Sequence, residues 1–302
     1  MLRFFRRSKV VPLRAPAQRV GLALSGGGAR GLAHIGVLKV LEREGIPVDF
    51  LAGTSMGGVI AAAYASGLGV EYIEKEALRM GRLRNLITLM DRSLPRLGLF
   101  EGQKVQEYLA GHLGDITFDE LKIPLALLAV DLETGEEVVL RSGRVADAVR
   151  ATISLPGVFA PFRLDGRLLV DGGVLNNLPA DVVREMGADI VIAVDVGAKI
   201  EDLPRLLEAE RKRLPLTQVP LIIETLHRTV GIMEGWIIAQ KLAQARPEVL
   251  IKPALSEDVS LFAGFNRVAE CIAAGEEAAA AWVPVIRSAL GGRRQQLGEA
   301  ET

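Results

Sequence analysis

Ser55 stands in the run Gly53-Thr54-Ser55-Met56-Gly57, with Gly58 just beyond, after the apolar stretch VDFLA and ahead of the alanine-rich VIAAAYASG. A serine on a tight strand-to-helix turn presents its hydroxyl, and glycines on either side let neighbouring backbone come close, the layout of a nucleophile elbow. A serine hydroxyl attacks a carbonyl only once a base takes its proton, so Ser55 calls for a partner elsewhere in the chain. The bland alternative is a glycine turn whose hydroxyl caps the following helix.

Two further segments supply what such chemistry needs. SGGGARG, Ser25 to Gly31, follows an apolar strand pattern and precedes a helix pattern. Adjacent glycines at a helix start expose N–H groups to an oxyanion or a phosphate, and Arg30 adds a fixed positive charge. In LLVDGGVLNNLP, Asp171 ends an apolar strand and is followed by Gly172 and Gly173. Ligands of open α/β sheets bind at the carboxyl ends of strands. Ser25, Ser55 and Asp171 all fall at such ends, so three distant segments can meet in one crevice. A carboxylate buried there gains basicity; the competing reading of Asp171 is an ordinary D-G turn.

Two rival constellations share these residues. Gly26, Gly28 and Gly31 satisfy G-x-G-x-x-G with Asp49 about 20 residues on, the outline of a dinucleotide site. Asp49, however, starts its strand where a ribose-binding acid should end it. Ser55, Asp195 and His227 fit the chain order of a hydrolase triad, but His227 lies within the apolar helix pattern LIIETLHRTVGIMEG. His34 and His112 also fall in helix patterns.

The elements that must position these groups alternate short apolar runs with longer amphipathic ones, which predicts a mainly parallel α/β layer architecture. Strands are expected at RVGLALS, VDFLAGT, RLLVD and ADIVIAVDVG, and a pair around a Thr-Gly turn in KIPLALLAVDLETGEEVVLRSG. Helices are expected after GGGARG, closed by Gly45, after Ser55, over EYIEKEALRM and KVQEYLAGHL, and over a long apolar stretch ending at QARP. An acyl chain needs an apolar trough, for which Arg82 to Phe100 and Ile222 to Ile238 are candidates. Phe159, Pro161 and Phe162 are expected beneath the site.

Taken in order, GGGARG, GTSMG, ATISLPGVFAPF and DGG resemble the patatin-like phospholipases, specifically bacterial members consisting of little more than the catalytic domain. The likeness runs from about Val20 to about Leu290. It implies a three-layer α/β/α sandwich and a Ser–Asp dyad without histidine. Ser55 would be the nucleophile, set in an elbow of Gly53, Thr54, Met56 and Gly57, and Asp171 the base. The loop Gly26, Gly27, Gly28, Ala29, Arg30 and Gly31 would hold the oxyanion, centred on the backbone of Gly27, Gly28 and Ala29. The implied activity is hydrolysis of lipid acyl esters, of phospholipase or lysophospholipase type, with no metal or cofactor.

Composition agrees with that class. The chain has 302 residues, 49% hydrophobic and 24% charged, enough for one large core. A net charge of −1 offers nucleic acid no basic field. The single cysteine, Cys271, excludes an intramolecular disulfide. Residues 1–18 read as a basic tail with room for peripheral contact at an anionic membrane, 19–290 as one catalytic domain and 291–302 as a polar tail. A cytoplasmic location, peripheral at the membrane, is expected, and a homo-oligomer is compatible.

Overall fold

A computed structural model describes residues 18–82, 85, 88–89, 91, 98–197, 221–259 and 264–299. Ten strands lie in these segments: β1 (Val20–Leu24), β2 (Phe50–Gly53), β3 (Gly98–Phe100), β4 (Leu125–Asp131), β5 (Glu137–Leu140), β6 (Gly157–Phe159), β7 (Phe162–Leu164), β8 (Arg167–Asp171), β9 (Ile190–Val194) and β10 (Val249–Ile251). The α-helices are α1 (Ala33–Arg43), α2 (Ser55–Ala65), α3 (Val70–Met80), α4 (Gln103–Leu113), α5 (Val145–Thr152), α6 (Gly173–Asn176), α7 (Ala180–Glu185), α8 (Leu221–Ala245) and α9 (Val268–Glu299).

Eight strands form one mixed sheet in the order β10-β9-β1-β2-β4-β8-β7, with β5 also on β4. From β10 to β4 every pairing is parallel, whereas β5, β8 and β7 join antiparallel. β3 and β6 make a separate parallel pair. Burial on both faces explains why the parallel strands read as unbroken apolar runs.

Side chains on those strands alternate in direction, and most of the buried ones on the second face are small, Leu128 and Val191 excepted. Val20, Leu22, Leu24, Leu51, Leu127, Ile192 and Val194 face one core, shared with α1, α2, α3, α5 and α9. Ala23, Ala52, Ala126 and Ala193 face the other, under α7 and the end of α8. Small residues there let the second helix layer sit close. The result is the expected helix–sheet–helix sandwich. α9 continues to Glu299, through residues read as a polar tail, because Arg, Gln and Leu are good helix formers.

The tightest helix contact joins α1 to α9. An added Cβ at Gly36 would collide with the Ile272 carbonyl and lie 2.6 Å from the Glu276 nitrogen. Gly275 meets the Ala33 carbonyl in the same way. Backbone on both sides cannot give without moving a helix. Gly36→Ala should therefore destabilise by about 1–3 kcal/mol, read as a lower thermal midpoint with the activity per folded molecule unchanged.

One detail of strand placement sets the site. β4 donates and accepts alternately to its two sides. The Pro124 carbonyl just before it accepts from Leu51, and the Leu132 amide just after it donates to the Leu168 carbonyl. Asp131, of the other parity, donates to the Glu136 carbonyl on the β5 side. β2 and β8 therefore lie along the same edge of β4 and run toward each other. Gly53 at the end of β2 is level with Leu127, and Asp171 at the end of β8 is level with Ala129.

Candidate active site

That head-on approach corrects one sequence expectation. Asp171 does end a strand, but β8 runs against β1 and β2, so it comes to the crevice from the opposite direction. It arrives there because β4 extends past the end of β2. Two residues beyond Gly53 is Ser55, and two residues beyond Leu127 is Ala129, the partner of Asp171. Nucleophile and carboxylate candidates thus reach the same height on the sheet.

Ser55 opens α2 in the left-handed region, with φ 53°, a conformation that costs a non-glycine residue about 1 kcal/mol or more. Its surroundings hold it there. The Ser55 N–H donates to Thr152 Oγ1 at 3.0 Å, and that hydroxyl donates to the Leu128 carbonyl at 2.5 Å. Leu128 lies between the levels reached by β2 and β8, so Thr152 satisfies a carbonyl that neither strand takes. Thr54 Oγ1 donates to the Asn176 carbonyl at 2.8 Å, tying the elbow to the segment after Asp171. Gly57 passes so close to the Leu24 and Ser25 carbonyls that no Cβ fits, and Met56 lies on Gly31 with the same effect.

Asp171 is 2% exposed. Its Oδ1 accepts from the Gly173 N–H at 2.8 Å, whereas Oδ2 is buried without a hydrogen-bond partner. Its own N–H donates to the Ser154 carbonyl, and Ser154 Oγ accepts from the buried Arg150 guanidinium at 2.7 Å. Arg150 in turn sits between Phe159 and Phe162, at 5.5 and 5.4 Å from the ring centres. Both rings therefore brace the support of Asp171. Burial pushes the Asp171 carboxyl up to about 6, against the opposing pull of the Ser55 hydroxyl and the Gly173 N–H. The Ser55 hydroxyl is thus near enough to favour the carboxylate form.

The glycine loop abuts the elbow: a Cβ at Gly26 would lie 3.0 Å from Ser55 Cβ. Not all of its donors point to a ligand. Gly26 N–H donates to the Asn177 carbonyl and side chain, both at 3.1 Å, and Arg30 N–H donates to the Gly27 carbonyl. Gly27, Gly28 and Ala29 occupy the N-cap and first two positions of a short 3-10 helix, where N–H groups have no intrahelical acceptor. The Arg30 guanidinium donates to the carbonyls of Val196, Gly197 and Val259, clamping the loop to the end of β9. Gly28 has φ 56°, which a β-branched residue resists. Gly28→Val should lower kcat by about 100-fold or more with KM little changed; a raised KM with unchanged kcat would give the loop a different task.

Of the rival constellations, the dinucleotide outline comes apart in space. Asp49 accepts from the Val20 N–H at 2.7 Å, at the opposite end of β1 from the glycine loop. Asp195 pairs with Lys252 at 2.9 Å and accepts from the Gly197 N–H. His34 is fully buried; Nε2 lies 2.8 Å from the Ser25 carbonyl, so it carries the proton and donates, and burial lowers its pKa to about 4. It braces the loop as a neutral ring. His112 contacts Tyr72 and Glu76. The His227 side chain lies outside the described residues, as do the N-terminal basic segment to residue 17 and most of the trough candidate between Arg82 and Phe100. No helix among the described residues is long and apolar enough to cross a membrane.

Sequence reading missed the supporting cast. Asn177, Thr152 and Ser154 lie inside quoted motifs and Arg150 just before one, but nothing in those strings shows which partners the fold gives them. Glu234 on α8 also reaches the site. Its only sequence signal is an acid within a long apolar helix pattern.

These features define an α/β-sandwich protein whose serine elbow, buried aspartate and glycine loop meet at one sheet edge. The patatin-like phospholipase family model matches residues 22–184. The chain belongs to that family. It is 38% identical over 179 residues to an uncharacterized NTE family protein of Mycobacterium tuberculosis, covering 59% of this chain and 49% of that one. It is 36% identical over 184 residues to the neuropathy target esterase sws of Drosophila melanogaster, covering 60% and 13%. The chain thus matches about half the length of the first relative and much less of the second. Among solved structures, VipD from Legionella pneumophila superposes with TM-score 0.48 at 15% identity, covering 91% of this chain and 67% of that one.

Proposed function

We propose that this protein is a serine acyl hydrolase that cleaves lipid acyl esters, of phospholipase or lysophospholipase type. The observation that carries it is the approach of Ser55, held at an elbow, to a buried Asp171 whose Oδ2 has no other partner. Asp171 takes the Ser55 proton as Oγ bonds to the ester carbonyl carbon, whose π electrons move onto oxygen. N–H groups of Gly27, Gly28 and Ala29 receive that oxyanion. Collapse breaks the bond to the alcohol, which takes the proton from Asp171 and leaves Ser55 acylated. Water, losing a proton to Asp171, then attacks the acyl-enzyme, and Ser55 departs with that proton restored.

Family membership and the esterase named among the relatives support the ester class. Exposed Ile232, Met233 and Trp236 on α8 favour contact with a lipid surface, since tryptophan suits an interface with one apolar and one wet side. The test is labelling with a fluorophosphonate probe, mapped by peptide mass, followed by turnover of short- and long-chain acyl esters. Modification at Ser55 and a preference for long acyl chains are expected. No labelling, or labelling elsewhere, overturns the proposal.

A further inference from the structure

α8 brings a second carboxyl to the base. Its outward side carries Ile232, Met233 and Trp236, while Glu234 turns inward and is partly buried. A methyl group at Gly173 would lie 3.2 Å from Asp171 Oδ1, 3.2 Å from Asn177 Oδ1 and 3.4 Å from Glu234 Oε1. Glycine leaves that space open, and the two carboxyls border it from different elements. Asp171 Oδ2 remains a buried acceptor without a donor.

Among the described residues no cation is arranged to neutralise this pair. α8 packs against α6, which carries no charged residue, and against α7, which carries Asp181, Arg184 and Glu185. Lys241, two turns along α8, is held by Asp181 at 2.7 Å and by Glu137 of β5 at 2.8 Å. Arg184 is held by Glu248 and by the carbonyls of Ala188, Asp189, Ala245 and Arg246. The His227 and Arg228 side chains on the same helix lie outside the described residues. Two desolvated carboxyls that border one small space, with no described cation between them, favour holding one proton between them.

We propose that Glu234 is a positioning residue for the base: as a neutral acid it donates a hydrogen bond to the Asp171 carboxylate, directly or across one water, keeping it ionised and aimed at Ser55. This rests on the Ser55–Asp171 reading above. The order of ionisation agrees. Burial first, and the Asp171 charge second, push Glu234 up to about 8, whereas Asp171 reaches only about 6. Between those values Glu234 holds the proton and Asp171 the charge.

The experiment is the rate of fluorophosphonate labelling against pH, from about pH 5 to about pH 9, for wild type, Glu234→Gln and Glu234→Leu. In wild type the rate should rise through about 6, as Asp171 ionises. The glutamine amide still donates, so Glu234→Gln should keep that midpoint within about 0.3 unit. Leucine removes the donor, so its midpoint should move up by about one pH unit, with labelling about ten-fold slower on the acid limb. An unmoved midpoint in Glu234→Leu overturns the proposal, as does a glutamine variant that shifts like leucine. A purely structural role would slow labelling equally at every pH. If Glu234→Leu does not fold, Glu234→Ala reads the same midpoint. Asp171→Asn separates the two levels. If it labels like wild type, the dyad reading fails; if it does not label and Glu234→Leu leaves the midpoint unmoved, only the role of Glu234 fails.

Discussion

Ser55→Ala should lose fluorophosphonate labelling and reduce hydrolysis of a p-nitrophenyl acyl ester by about ten-thousand- to million-fold, the usual effect of removing a hydrolase nucleophile. Alanine keeps the Cβ that borders Gly26 and the backbone N–H that donates to Thr152. It also keeps the left-handed backbone, with φ 53° in the wild type, at similar cost. None of the hydrogen bonds that hold the elbow uses the serine oxygen. The variant should therefore melt within a few degrees of wild type while turnover disappears. Near wild-type turnover in a folded Ser55→Ala protein would exclude serine catalysis at this site.

Asp171→Asn should slow acylation by about 100- to 10,000-fold, because an amide of the same shape cannot take a proton. The pH dependence has a definite sign. With Asp171 pushed up to about 6, wild-type activity should rise with pH through that value and fall below it. Stability runs the other way. A carboxyl whose folded pKa lies above its unfolded value of 3.8 destabilises the fold as pH rises through about 6, and stops doing so below about 4. Asparagine escapes that cost and can still accept from Gly173. The inactive variant should consequently melt at least as high as wild type at pH 8, with the difference shrinking toward pH 4. His227→Gln, by contrast, should remain within a few-fold of wild type. If His227→Gln abolishes turnover and Asp171→Asn spares it, the base has been misassigned.

The elements legible in the sequence were those whose pattern is local. Val20–Leu24 and Ile190–Val194 are unbroken apolar runs, and the hairpin of β4 and β5 turns at a Thr-Gly pair. α1 ends before Gly45, whose φ is 64°. β6, β7 and β10 have three residues each, too few for a period to show. Strand direction was not legible for β8, since RLLVD reads the same whether it runs with or against its neighbour. The same limit applies at the site. Gly-x-Ser-x-Gly and the glycine loop are local chemistry and stand out as strings. Thr152 under the Ser55 amide, Asn177 on Gly26 and Glu234 beside Gly173 are pairings across 61 residues or more, which no string reveals.

The shared edge of β4 also makes the site a ruler. Gly53 and Asp171 are level with Leu127 and Ala129, two residues or about 7 Å apart along one strand. Loop lengths elsewhere in the chain leave that spacing untouched. A single residue inserted into β8 does not, because a one-step slip turns every following side chain to the opposite face of the sheet. Asp171 would then look into the other helix layer while Ser55 stayed in place. On the Ser55–Asp171 proposal, competence therefore depends on a count of residues along β8 as well as on which side chains stand at the site.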